Sequence, residues 1–65
     1  DGIKKDILQF LENHPEGLTI AEISDMMNLH RQPVTKYIFE LKGADLIWRR
    51  PVGSATLHYI KNNGE

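Results

Sequence analysis

The sequence predicts an α+β domain in which a three-helix bundle is closed by a small antiparallel β-hairpin. Three observations point there. Apolar residues recur at helical spacing in three separate stretches, each ended by its own breaker. Thr19 stands three residues before Glu22, the spacing of a capping box, at the head of the second stretch. Beyond residue 45 the period shortens, and two β-rich runs flank a Pro-Val-Gly-Ser-Ala segment.

The first helix is expected over residues 2–13. Ile3, Ile7, Phe10 and Leu11 fall on one stripe, while Lys4, Lys5, Gln9 and Glu12 lie elsewhere. Asp1 is placed to cap it, and His14-Pro15-Glu16-Gly17 ends it, because the residue before proline is pushed out of the α region. Leu18 and Thr19 leave room only for a short extended segment. Helix two, 20–27, carries Ile20, Ile23 and Met27 inward. It breaks at Asn28-Leu29-His30, with Leu29 turned in as a plug between crossed helices. Helix three, 31–42, holds Pro33 in its first turn, where the missing N–H costs nothing. Val34, Ile38 and Leu41 form its buried stripe, and Gly43-Ala44-Asp45 closes it with Asp45 left-handed. The hairpin occupies 46–60, turning over Pro51 to Ala55. Trp48 is expected as the lid of the small core and Tyr59 inside it. Lys61 to Glu65 is a polar tail, and residues 1–65 make a single domain.

At 65 residues the chain stands near the size at which a core alone suffices. It has no cysteine, so neither disulfides nor thiolate–metal staples contribute. No apolar run approaches membrane-spanning length and no signal pattern appears, so a membrane role is not expected. The net charge of −1 hides a polarity. Residues 1–27 set two lysines against six carboxylates, a net of −4; residues 28–50 set five cations against two carboxylates, a net of +3. One face is thus prepared for phosphate while the other stays acidic. His14, His30 and His58 show no metal-ligand spacing, and no nucleophile–base set or phosphate loop is visible. Neither a metal, a cofactor nor an enzymatic activity is expected.

Leu29-His30-Arg31-Gln32-Pro33-Val34-Thr35-Lys36-Tyr37-Ile38-Phe39-Glu40-Leu41, a short break and Leu46-Ile47 together resemble the recognition-helix signature of winged helix-turn-helix transcription regulators. That broad group includes the MarR-like and ArsR-like repressors. The resemblance covers residues 3–60. It implies helix three in the major groove of double-stranded DNA and the hairpin as a wing on the flanking minor groove or backbone. His30 stands where the group usually has Ser or Thr, and Asp45 where it has Gly, and the flanking dimerisation helices are missing.

In that pose Arg31, Gln32, Thr35, Lys36 and Phe39 face away from the core. Arg pairs with guanine, Gln with adenine and Thr with the thymine methyl, while Lys36 meets phosphate. His30 at the helix start, Arg49 and Arg50 on the wing strand and Ser54 near its tip complete the expected DNA-binding set. Outward cations are few, so useful affinity requires a second copy, as a homodimer or within a parent multidomain protein. The cytoplasm, or a nucleus in a eukaryote, is the matching location. Two other readings use the same frame. A protein-interaction winged helix suits the near-neutral charge and an exposed Phe39. A binder of left-handed Z-form nucleic acid would also use an aromatic on helix three, but it needs a proline-bearing wing, and here His58 has no proline near it.

Overall fold

Three helices run first: α1 (Gly2–Asn13), α2 (Ile20–Met27) and α3 (Arg31–Gly43). Two strands follow, β1 (Ile47–Val52) and β2 (Ala55–Ile60), paired antiparallel. The computed structural model describes residues 2–61, so the expected Asp1 cap and the tail from residue 62 lie outside the described residues. The core is the sum of the helical stripes: Ile7 and Leu11 from α1, Ile23 from α2, Val34, Ile38 and Leu41 from α3, closed by Leu18 and Ile47. Each such side chain contributes about 1.5–3 kcal/mol by leaving water. Leu29 packs against this cluster between α2 and α3.

The helix ends follow from side-chain chemistry. Thr19, extended at φ −82° and ψ 164°, accepts the Glu22 amide on its hydroxyl at 3.1 Å, and the Glu22 carboxylate takes the Thr19 amide at 2.9 Å. At the other end of α2, Asn28 is left-handed (φ 55°), which lets the Leu29 amide donate back to Ser24 O at 3.0 Å. The same device closes α3, one residue beyond the expected 42. Asp45 turns left-handed (φ 63°), its amide donates to Lys42 O, and the Leu46 amide reaches Leu41 O. Asp and Asn serve at both points because their short polar side chains tolerate a conformation that most residues avoid.

The hairpin departs from expectation in two ways. Its turn is only Gly53-Ser54, with Val52 paired to Ala55, and positive φ falls on Gly53 alone (φ 62°). That is the pattern of a tight turn matched to strand twist. Pro51 therefore lies within β1, opposite Thr56, rather than beyond its end. The ladder begins with the Lys61 amide on Leu46 O and alternates, so position 51 points its nitrogen away from β2. On the far edge of β2, Leu18 forms an isolated antiparallel bridge with His58, through amide–carbonyl bonds of 3.1 and 2.8 Å.

Trp48 is no core lid. Ile47 faces the helices, so its neighbour points the other way, and Trp48 is left 45% exposed, stacked on Tyr59 with centroids 4.3 Å apart. Tyr59 is itself only half-buried. Gly17, at φ 95°, lies so close to that ring that a Cβ there would stand 2.7 Å from Tyr59 Cζ.

Candidate nucleic-acid interface

The outward face of α3 results from its inward one. With Val34, Ile38 and Leu41 sealed in the core, helical geometry turns Arg31, Gln32, Lys36 and Phe39 to solvent, while Thr35 is half-buried beside them. His30 precedes the helix in extended backbone (φ −71°, ψ 159°), exposed, and makes no side-chain cap. The first-turn amides of α3 thus have no side-chain oxygen over them, which suits an anion at that end.

Phe39 joins this helix to the wing. It is 55% exposed, and the guanidinium carbon of Arg49 lies 5.6 Å from its ring centroid, within cation–π range. Phe39 is therefore neither free nor part of the core; it is the shelf on which a wing cation rests. Lys42, Arg49, Pro51 and Thr56 line a cavity of about 250 Å³ between the end of α3 and the hairpin.

The charge on this face is uncompensated. The ion pairs among the described residues are Lys4–Glu40, His14–Glu16 and Lys61–Asp45, which leaves Arg31, Lys36, Lys42 and Arg49 outside any of them. Glu40, the one carboxylate of α3, bonds Lys4 of α1 at 2.6 Å. That bond, with the fields of Lys4 and Lys36, holds its carboxyl below the ordinary value. The acid is thus tied to α1, with the field of Lys36 still reaching it.

Of the nine residues expected from sequence, His30, Arg31, Gln32, Thr35, Lys36, Phe39 and Arg49 lie along one surface that runs from the start of α3 to β1. Arg50 does not join them. It pairs with Leu57 on the opposite face of the hairpin, because adjacent strand residues point opposite ways. Ser54 sits exposed at the turn.

Lys42 and Thr56 were not singled out from sequence, yet both line the cavity beside Arg49. Lys42 reads there as a cation complementing the end of a helix. The position of Thr56 depends on a turn length that the sequence leaves open. His58, considered from sequence only for metal spacing and as a wing residue, turns out to be buried. It is 1% exposed, and its Nδ1 lies 2.9 Å from Leu18 O, which requires Nδ1 to carry the proton and donate. Burial pushes its pKa below the ordinary histidine value; the Leu18 bond opposes this and the nearby Arg49 adds to it. The parity of β2, counted back from Ile60, was the available signal for its inward position. Among the described residues no cluster of His, Cys, Asp or Glu is arranged to hold a metal, and no helix is long and apolar enough to cross a membrane.

The family model described as winged helix-turn-helix DNA-binding matches residues 1–47, well over half of the chain. The match spans all three helices and reaches the first residue of β1. No curated protein matches the chain.

Proposed function

The chain belongs to the winged helix-turn-helix DNA-binding family, and from that premise we propose that it is a sequence-specific module for double-stranded DNA in a transcriptional regulator. The observation that carries this reading is the continuous cationic surface of α3 and β1, with its only helix carboxylate tied to Lys4. Arg31, Gln32 and Thr35 read base edges in the major groove, and Phe39 supports them at the far end of the helix. Lys36, Arg49 and the first amides of α3 hold phosphates, and His30 lies beside those amides. Arg50 and Ser54 serve the backbone on the other side of the wing. Four to five phosphate contacts make a single copy weak and sensitive to salt.

The test is an NMR titration of the labelled domain with mixed-sequence duplex DNA at low and then moderate salt. Shifts confined to residues 30–42 and 49–56, fading as salt rises, are expected. An absence of shifts at low salt overturns the reading.

A further inference from the structure

Between the first turn of α2 and the free edge of β2 lies a cavity lined by none of the side chains assigned above to DNA. Thr19, Ile20, Ala21, Ala55, Thr56 and His58 enclose about 360 Å³ there. The backbone explains why this edge is open. The Lys61 amide on Leu46 O sets the ladder, and alternation then turns the amides and carbonyls of Tyr59, Leu57 and Ala55 toward β1. Those of His58 and Thr56 point to the other edge, where His58 meets Leu18 in both directions. One step nearer the tip the chain has already turned into the cap at Thr19. The N–H and C=O of Thr56 are therefore left without a backbone partner among the described residues.

His58 adds a third polar atom. Its Nδ1 donates to Leu18 O, so Nε2 is the unprotonated acceptor. No buried side-chain nitrogen or oxygen among the described residues lacks a partner, and Nε2 bonds nothing. Nε2 is thus where this otherwise sealed ring reaches solvent, on a wall of the cavity. The other walls, Ile20, Ala21 and Ala55, are aliphatic. The hydroxyl of Thr19 is taken by the Glu22 amide, and the Glu22 carboxylate already covers the helix start, which disfavours an anion. The Thr56 hydroxyl can donate or accept and decides nothing.

The cavity thus offers one donor, the Thr56 amide, and two acceptors, Thr56 O and His58 Nε2, among apolar walls. A few placed polar groups in an apolar hollow are the usual make-up of a small-molecule site. A primary carboxamide carries the complementary set, one carbonyl acceptor and two N–H donors in one plane. We propose that this cavity binds a small, uncharged aromatic primary carboxamide, held by Thr56 and His58 with its ring against Ile20, Ala21 and Ala55. Its carbonyl and the neighbouring N–H pair with the two Thr56 groups, and its second N–H faces Nε2. An apolar cavity of about 150 Å³ already takes benzene, so one ring fits.

The experiment titrates benzamide into the isotope-labelled whole chain without DNA, so its outcome is independent of the DNA-binding reading. Saturable shifts at Ala21, Ala55, Thr56 and His58 are expected, with a dissociation constant on the order of 1 mM for so small a probe. The His58 Nε2 resonance moves with them while Nδ1 keeps its proton. Acetophenone keeps the shape and the carbonyl but has no N–H. It is expected to bind at least about tenfold more weakly, since it leaves both acceptors unpaired. A55L, at an exposed strand position, fills the cavity and abolishes the shifts while circular dichroism stays that of wild type. A21L does the same from the opposite wall. Four outcomes each overturn the proposal: no saturable shift about tenfold above that concentration, shifts centred elsewhere, acetophenone binding as well as benzamide, or binding retained in the folded variants.

Discussion

On the inner face of the hairpin Ile47 and His58 are all but sealed from water, whereas one residue along, on the outer face, Trp48 is 45% exposed. The inner face carries Arg49 to Phe39 and so belongs with α3; the outer face stacks Trp48 on Tyr59 and so belongs with the end of α1. Nothing in hydrophobicity alone foretells this, since tryptophan buries more area than isoleucine when it is inside. Parity decides. Once Ile47 is drawn into the core, every second residue of β1 follows it, and even an arginine is carried inward while a tryptophan is turned out.

The comparison breaks most visibly in paired truncations. Ile47→Ala should cost about 2–5 kcal/mol of unfolding free energy, since it opens a cavity among sealed aliphatic side chains. Trp48→Ala should cost less than about 1.5 kcal/mol, because much of its ring already meets water. Urea denaturation measures both, and equal losses would remove the distinction between the faces. Gly17→Ala is next, at about 2 kcal/mol, because the new Cβ meets the Tyr59 ring at a backbone angle that L-residues rarely adopt. It should also alter the near-ultraviolet dichroism of the Trp48–Tyr59 stack, a signal that a purely local loss at Gly17 would leave unchanged.

Arginine removal sharpens the comparison on the binding side. Arg49→Ala is expected to weaken duplex binding about tenfold and lower the slope of affinity against salt by about one. Arg50→Ala, on the other face, should cost only a few-fold. Fluorescence anisotropy at several salt concentrations checks the order, and a larger loss at Arg50 would reverse the assignment of faces.

The smallest effect concerns pH. His58 is held neutral in the folded chain, with its pKa below the ordinary value chiefly through burial. The unfolded chain binds the proton more readily, so the stability from this residue is complete above the usual histidine pKa. It is lost as pH falls toward the folded value. The melting temperature should therefore drop modestly between about pH 7 and 5, a slope that His58→Gln flattens. An unchanged slope in that variant would place the titration elsewhere.

Much of the fold was legible because the local rules agreed with one another. The capping box at Thr19 and Glu22, the proline in the first turn of α3 and the left-handed Asp45 each rest on chemistry contained within a few residues. The candidate surface on α3 was legible for the same reason, since its outward side is the complement of a buried stripe. What escaped depends on the hairpin register. A two-residue turn in place of five moves Pro51 and Val52 into β1, puts Thr56 beside Lys42, and separates Arg49 from Arg50. The sequence contains no mark that distinguishes those turns except Gly53 itself. The Lys4–Glu40 ion pair is likewise a contact between distant segments that no local pattern announces.

The bridge between Leu18 and His58 joins residues 40 positions apart and, with the Gly17–Tyr59 contact beside it, ties β2 to the segment before α2. Closing so long a loop is entropically slow, whereas α2 and α3 meet across a turn of three residues. The helix pair is thus the part able to organise first, with the hairpin arriving as a latch. In the finished molecule the same inequality governs amide exchange. Protons at Leu18 and His58 are expected to exchange more slowly than those near Val52 and Ala55, which lie next to the turn. The wing is thus expected to be stiffer at its root, where Leu18 is bridged to His58, than at its Gly53-Ser54 tip.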